Sequence, residues 1–269
     1  MKPQPQSEIE QLLEVMAKLR DPDGGCPWDL EQDFATIAPH TIEEAYEVAD
    51  AIENGTPDTI KDELGDLLFQ VVFYAQMARE RDWWSFNDIA AHVAEKMIRR
   101  HPHVFGNETI ADAEAMTGRW EADKAVERAK MAAEQGRSPS ALDGVIAGLP
   151  ALTRALKLQK RAARVGFDWG EAAPILDKIE EEVGELRAEM TAGSSQSRLQ
   201  DELGDLLFAV VNLARRLEVD PDTALRQANT KFERRFRAVE ERLAANGTAA
   251  EEASLAVMES HWEAAKQNE

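Results

Sequence analysis

The chain has 269 residues, enough for one large domain or two domains of ordinary size, each with its own core. Its composition is 43% apolar, 30% charged and only 6% aromatic, which is typical of a helix-rich soluble protein and predicts little or no sheet. The formal charge of −20 excludes general nucleic-acid binding, because contacts to a phosphate backbone need a surplus of Lys and Arg on one surface.

The cysteine content and the length of the apolar runs indicate which cellular compartment to expect. A single cysteine, Cys26, excludes an internal disulfide framework, and no leading segment has the basic, apolar, small-residue order of a signal peptide. No uninterrupted apolar run approaches the roughly 20 residues of a membrane helix. We therefore expect a cytoplasmic protein without a membrane partner.

Two acidic segments lie in the first half of the chain. Glu43-Glu44-Ala45-Tyr46-Glu47 is followed by Asp62-Glu63-Leu64-Gly65-Asp66. In a helix, residues three and four apart share a face, so the carboxylates of each segment can point the same way. A candidate second site therefore comprises Glu43, Glu44, Glu47, Glu63 and Asp66.

The same pattern recurs in the second half. Residues 62–72 and 201–211 are identical at ten of eleven positions, and Glu181-Glu182-Val183-Gly184-Glu185 matches the first acidic segment in nearly the same spacing. Three further residues have counterparts downstream: Lys96, Arg100 and Trp120 parallel Lys231, Arg235 and Trp262. The chain therefore contains two copies of one unit of about 100 residues.

A segment of linker composition separates the copies. Residues 135–140 are rich in Gly, Ser and Pro, and Gly148-Leu149-Pro150 closes the connection. We place the boundary near residue 140, which predicts domains over 1–140 and 141–269.

The periodicity of the second copy is helical. Leu203, Leu206 and Val210 recur at three- and four-residue intervals and form one apolar stripe. Asp220-Pro221-Asp222 predicts a helix end followed by a new start, and a long charged helix follows over 224–243. Four or so helices per unit predict a bundle.

The acidic residues of the second copy occupy two helices. Glu181, Glu182 and Glu185 share one helix face, while Glu202 and Asp205 lie at the edge of the Leu203 stripe on the next helix. Converging carboxylates repel one another unless a cation neutralises them. All-oxygen ligands favour Mg²⁺, with Mn²⁺ as an alternative, and phosphoryl chemistry is its natural use. A merely solvated acidic face is disfavoured because the paired pattern appears twice.

These residues resemble a known signature. Glu181-Glu182-x-x-Glu185 followed by Glu202-x-x-Asp205 is similar to the motif of the all-α nucleoside triphosphate pyrophosphatases, and the two-copy layout resembles bacterial MazG proteins. Three further segments resemble the family: residues 25–29 (Gly-Cys-Pro-Trp-Asp), 100–106 (Arg-His-Pro-His-Val-Phe-Gly) and 231–237 (Lys-Phe-Glu-Arg-Arg-Phe-Arg). The resemblance covers nearly the whole chain and implies an all-α fold of two tandem helical-bundle units.

The resemblance also implies an activity and a ligand set. It implies hydrolysis of nucleoside triphosphates, ATP among them, between the α and β phosphates to give the monophosphate and pyrophosphate, with broad base tolerance. By similarity to the motif, the Mg²⁺ ligands are Glu182, Glu185, Glu202 and Asp205. Glu181 is left as a second-metal ligand or a water activator, and we assign catalysis to Glu181 and Glu182.

Five residues are candidates for contacts with the substrate: Lys178, Arg198, Lys231, Arg235 and Trp262. The cations can neutralise phosphate charge, and Trp262 can stack on a base, although a terminal Trp also serves to anchor the last helix. The first copy has His40 and Thr59 where the second has Lys178 and Arg198. We therefore expect the second copy to be catalytic, with the first binding metal or serving mainly to build a homodimer.

Three alternatives differ in class. A di-iron oxidase needs Glu-x-x-His pairs, and none of the five histidines has a Glu three positions before it. A narrow-substrate pyrophosphohydrolase, acting on dUTP or another nucleotide, stays open because the sequence does not identify the base. A non-enzymatic acidic helical dimer scaffold also stays open, and it predicts that Glu182 and Glu202 can be replaced without loss of function.

Overall fold

The structure is a computed structural model that describes residues 7–267, apart from the side chains of residues 113 and 114. Over that range the backbone forms twelve α-helices, one 3-10 turn and no β-strand, which confirms the predicted all-α class. Residues up to Trp120 form one compact unit and residues from Glu121 form another. Residues 121–140 therefore pack with the second unit, whereas the repeat boundary was placed near residue 140. That boundary stays a prediction, and its outer limits, residues 1 and 269, lie outside the described range.

The first unit holds six helices and the start of a seventh: α1 (Glu8–Leu19), α2 (Pro27–Glu31), α3 (Phe34–Asn54), α4 (Pro57–Arg79), α5 (Phe86–Arg100), α6 (Pro102–Phe105) and α7 (Ala113–Glu134), which continues into the second unit. Helices α3 and α4 pack against each other, and α1 and α5 pack on α4. A reciprocal capping box begins α1, α3, α4 and α5, at Ser7, Asp33, Thr56 and Ser85.

The core of the first unit is apolar. Met16 from α1, Ile37 from α3 and Val72, Phe73 and Met77 from α4 are each at most 1% exposed. Burial of such side chains contributes roughly 1.5–3 kcal/mol each. The C-terminal half of α4 is therefore occupied by packing.

An ion pair closes one end of this core. The guanidinium of Arg20, at the end of α1, donates to both carboxylate oxygens of Glu80, at the end of α4, over 2.8 and 2.7 Å. These bonds lower the pKa of Glu80 below its ordinary value. The pair therefore ties α1 to the end of α4 while Glu80 is ionised.

The second unit holds five further helices: α8 (Ala151–Arg164), α9 (Ala173–Ala192), α10 (Gln196–Arg216), α11 (Pro221–Ala245) and α12 (Leu255–Lys266). Helices α9 and α10 pack together, α8 packs on α10 and α11, and α12 packs on α11. The predicted break at Asp220 is confirmed, because its side chain caps α11 by accepting from the backbone N–H of Thr223 over 2.8 Å. The prediction was four or so helices per unit, and the described residues of the first and second units hold six and five besides α7.

The apolar stripe predicted on α10 is less buried than its periodicity suggested. Leu203, Leu207 and Val210 are 47%, 52% and 44% exposed, and Leu64 and Leu68 at the matching positions of α4 are 49% and 40% exposed. Periodicity identifies an apolar face without showing what covers it. Among residues 7–267, no helix is long and apolar enough to cross a bilayer.

Candidate active site

A short connection brings α9 and α10 together. Helix α9 ends at Gly193, whose φ of 65° is the left-handed conformation that favours glycine, and Ser195 caps α10 by accepting from the backbone N–H of Arg198. The close pairing places Glu182 and Glu185 of α9 beside Glu202 of α10. One carboxylate oxygen from each lies within 4.8 Å of the other two.

The three carboxylates differ in burial. Glu182 is 5% exposed and Glu202 is 9% exposed, whereas Glu185 is exposed. Within the described part of the chain, Oε2 of Glu182 is buried without a hydrogen-bond partner. Loss of hydration and the neighbouring Glu182 raise the pKa of Glu185. An ionised cluster of this kind is stabilised by a bound cation.

Two cations lie against the cluster. The ammonium of Lys178 is 2.7 Å from Oε1 of Glu181 and 2.8 Å from Oε1 of Glu182, and these hydrogen bonds raise the pKa of Lys178. The guanidinium of Arg198 is 2.6 Å from Oε1 of Glu189 and 3.2 Å from Oε1 of Glu202. Each cation lies one helical turn before the buried carboxylate it contacts, as expected for two residues four positions apart in a helix.

A cavity of about 710 Å³ opens next to this cluster. Lys178, Glu182 and Asp205 line one part of it, so Asp205 reaches the same space although it is not one of the three clustered carboxylates. The remaining polar and aromatic lining consists of Gln159, Phe167, Asp168, Trp169, Phe208, Asn212 and Arg215. Such a largely apolar cavity with a few polar groups is typical of a small-molecule site.

The sequence did not identify these additional cavity residues. Phe167, Asp168 and Trp169 lie in the connection between α8 and α9, where no helical period constrains them. Asn212 could have been identified from the repeat, because the alignment of the two copies pairs it with Phe73, a core residue of the first unit. A polar residue at a core position of a repeat indicates a local change of role.

The remaining substrate-binding candidates lie elsewhere in the second unit. The ring of Trp262 is 5.3 Å from that of Phe232, and the guanidinium carbon of Arg235 is 5.7 Å from the Trp262 ring centroid. These contacts join α12 to α11, and Lys231 is exposed on α11. Among the described residues, no lining residue of the cavity belongs to α11 or α12.

The first unit repeats the carboxylate arrangement. Glu44, Glu47 and Glu63 offer oxygens within 4.8 Å of one another. Loss of hydration and repulsion from Asp66 raise the pKa of Glu44, and loss of hydration and repulsion from Glu47 raise that of Glu63. The neutral amide of Gln70 donates to Oε1 of Glu44 over 3.2 Å.

Among the other predicted residues of the first unit, His40 contacts Glu43, which precedes Glu44 of the cluster. His40 Nδ1 lies 3.6 Å from Oε2 of Glu43. A smaller cavity of about 160 Å³ is lined by residues of α1, α4 and α5, but none of the clustered carboxylates lines it. Over residues 7–267, no histidine belongs to either carboxylate cluster.

Comparison with known proteins follows the same division into two copies. The family model of the MazG nucleotide pyrophosphohydrolase domain matches the chain twice, over residues 32–105 and 172–239. A nucleoside triphosphate pyrophosphohydrolase of Escherichia coli strain K12 is 51% identical over 264 residues, covering 98% of each chain.

Two other curated relatives have related names. The nucleoside triphosphate pyrophosphohydrolase/pyrophosphatase MazG of Thermotoga maritima is 41% identical over 96% of this chain and 95% of its own. A nucleoside triphosphate pyrophosphohydrolase of Mycobacterium tuberculosis is 35% identical over 59% of this chain and 46% of its own.

Proposed function

The chain belongs to the MazG nucleotide pyrophosphohydrolase family, and from this membership we propose that it hydrolyses nucleoside triphosphates to nucleoside monophosphates and pyrophosphate. The observation that carries the proposal is the convergence of Glu182, Glu185 and Glu202 beside a cavity of about 710 Å³. A carboxylate cluster at the wall of a nucleotide-sized cavity supports phosphoryl chemistry in the second copy. We propose a broad tolerance for the base.

The donor set fits a hard divalent cation, Mg²⁺ with Mn²⁺ as an alternative. All of the donors are carboxylate oxygens, and Oε2 of Glu182 has no hydrogen-bond partner among the described residues. Glu182, Glu185, Glu202 and Asp205 would hold the ion. When bound, it supplies Lewis-acid polarisation of the phosphate oxygens.

The chain's own side chains bind and orient the triphosphate in this proposal. Lys178 and Arg198 lie next to the buried carboxylates and can turn toward phosphate oxygens. Glu181 is exposed next to Lys178 and can accept a proton from the attacking water. Glu181 and Glu182 are therefore the catalytic candidates.

Lys231, Arg235 and Trp262 remain substrate-binding candidates on α11 and α12. Within one chain, Trp262 packs on Phe232 and Arg235, which is the arrangement of a helix anchor. The proposed contact with substrate therefore requires one of two arrangements. Either the side chains of Lys231 and Arg235 extend toward the cavity, or a second copy of the chain brings its own residues to it.

A homodimer is the proposed assembly, in the cytoplasm. Leu203, Leu207 and Val210 form an exposed apolar stripe on α10, and an isologous interface would remove this stripe from water. The carboxylates Glu43, Glu44, Glu47, Glu63 and Asp66 are proposed as a second metal site in the first copy.

The test is to incubate the purified full chain with Mg²⁺ and a panel of canonical and modified triphosphates, and to separate the products by ion exchange. Monophosphate plus pyrophosphate from several bases supports the proposal. Turnover of one nucleotide such as dUTP alone would favour a narrow-substrate enzyme. Diphosphate plus orthophosphate, or no turnover at all, would contradict the proposal, and the latter would favour the acidic scaffold.

A further inference from the structure

The cavity of the second unit continues along α10 beyond the carboxylates. Asp205, Phe208, Ala209 and Asn212 all line it, at spacings that place them on one face of the helix. Asp205 and Asn212 are seven residues apart, which corresponds to about 10 Å along a helix. A nucleotide with its α-phosphate at the carboxylates can therefore bring the far edge of its base to Asn212.

Neighbouring side chains fix the orientation of the Asn212 amide. Its Oδ1 accepts from Nε and Nη2 of Arg215 over 3.0 and 2.8 Å. The guanidinium of Arg215 is itself held by both carboxylate oxygens of Asp168. A guanidinium only donates, so the amide atom that faces it must be the oxygen.

The amide nitrogen of Asn212 consequently points away from Arg215. Asn212 is 7% exposed and lines the cavity, and in the described part of the chain its Nδ2 group has no hydrogen-bond partner. Nδ2 is not among the fully buried side-chain atoms of the described residues that lack a partner, so it can be reached from the cavity. A ligand in the cavity that carries an acceptor can therefore accept a hydrogen bond from it.

The first unit has different side chains at the matching positions. Asn212 aligns with Phe73, which is 1% exposed in the apolar core, and Ala209 aligns with Gln70. The second unit thus has a small residue and an amide where the first has two larger side chains. The difference opens space and places a donor in it.

We propose that Asn212 determines base preference by donating from Nδ2 to a carbonyl oxygen on the edge of the nucleobase. Bases with an oxo group at that edge, such as hypoxanthine and uracil, are then favoured over their amino counterparts, adenine and cytosine. Trp169 and Phe208 line the same cavity and offer faces for stacking on any base, so all bases are accepted and the preference is graded. This inference rests on the proposed pyrophosphohydrolase function.

The test uses the full chain with matched pairs of triphosphates, ITP against ATP and UTP against CTP, and measures kcat and KM for pyrophosphate release. In the unmodified protein, kcat/KM is expected to be about tenfold higher for the oxo member of each pair, because one hydrogen bond discriminates by roughly 1–1.5 kcal/mol. Turnover of all four at equal kcat/KM would overturn the inference and leave the function intact. Absence of pyrophosphate from all four would remove the proposed function itself.

Two variants test Asn212 directly. Asn212→Asp has the same shape and keeps an acceptor for Arg215, but it replaces the donors with an acceptor, so the preference should reverse toward ATP and CTP. Asn212→Ala should lower the kcat/KM ratios of ITP to ATP and of UTP to CTP to about one, mainly by raising KM for ITP and UTP. Asn246→Ala, an exposed amide at the end of α11, is the matched control and should keep the original ratios.

The result that contradicts the inference is an equal loss for all four substrates in Asn212→Asp. Such a loss would mean that Asn212 only supports the fold. Thermal unfolding of each variant shows whether the second unit is intact, and Asn212→Asp is expected to stay folded because its carboxylate pairs with Arg215.

Discussion

The acidic helix pairs of the two units, α3 with α4 and α9 with α10, have matching carboxylates but different surroundings. In the first unit, α4 continues from Glu63 into the buried Phe73 and Met77. In the second, α10 continues from Glu202 along the wall of a cavity of about 710 Å³. In the proposed function, the carboxylates hold a cation in both units, and the following turns of α10 leave space for a nucleotide that the matching turns of α4 do not.

The charges around the carboxylates differ as well. Lys178 and Arg198 contact the second cluster, whereas His40 and Thr59 occupy the matching positions of the first. Gln70 supplies only a neutral amide to Glu44. A triphosphate carries several negative charges, so these cations support the proposal that the second unit binds it.

The largest expected effect comes from removing one carboxylate from each unit. Glu202→Gln should lower kcat for pyrophosphate release by at least about 100-fold, because the cation loses a charged ligand. Glu63→Gln, the matching change in the first unit, should leave kcat within about twofold. Steady-state kinetics with saturating Mg²⁺ measure both. Equal losses in the two variants would contradict the assignment of catalysis to the second unit.

The sequence was sufficient to predict the parts of the site that repeat. The helical class, the two copies and the placement of Glu182 near Glu202 all followed from spacing, because helical geometry and an internal repeat constrain them. The cavity did not follow, since Trp169 and Asp168 lie in a connection and Asn212 departs from the repeat. The exposure of Leu203 was also unpredictable, because periodicity does not reveal which surface covers an apolar stripe.

Removing the cation beside Glu182 should have the next largest effect. Lys178→Met is expected to lower kcat/KM by about 10- to 100-fold, since a charged donor near the phosphates is lost. Lys157→Met removes an exposed cation of α8 and serves as the control, with kinetics within about twofold of the unmodified protein. Unchanged kinetics in Lys178→Met would mean that Lys178 only neutralises Glu182.

Replacing a cavity residue of α10 with its counterpart from α4 tests the role of the cavity. Ala209→Gln introduces the side chain found at Gln70 and should fill space next to Glu182, raising KM about tenfold. Binding of Mn²⁺, followed by electron paramagnetic resonance, should be retained. Gln70→Ala in the first unit is the reciprocal control, with KM unchanged. A normal KM in Ala209→Gln would show that the nucleotide lies elsewhere.

The smallest effect concerns the stability of the first unit. Glu80→Gln breaks a half-buried pair with Arg20 and should reduce protection of the α1 and α4 amides by about 1 kcal/mol at pH 7. Because the folded pKa of Glu80 is lowered, this contribution is present above the ordinary pKa of glutamate and is lost as the pH falls through the lowered value.

Hydrogen exchange at pH 7 and at about pH 3 measures this difference, with the amides of α9 and α10 as an internal reference. The difference in protection between Glu80→Gln and the unmodified protein should be smaller at the lower pH. A gap that stays constant with pH would show that the ion pair with Arg20 is not its source.

The most direct test of the central claim is the recovery of pyrophosphate release when Mn²⁺ is added back to EDTA-treated protein. The unmodified protein should regain its full rate, while Glu182→Gln should stay inactive at Mn²⁺ concentrations that saturate the unmodified protein. Recovery of Glu182→Gln to the full rate at the same Mn²⁺ concentration would contradict the proposal that α9 and α10 hold the catalytic ion.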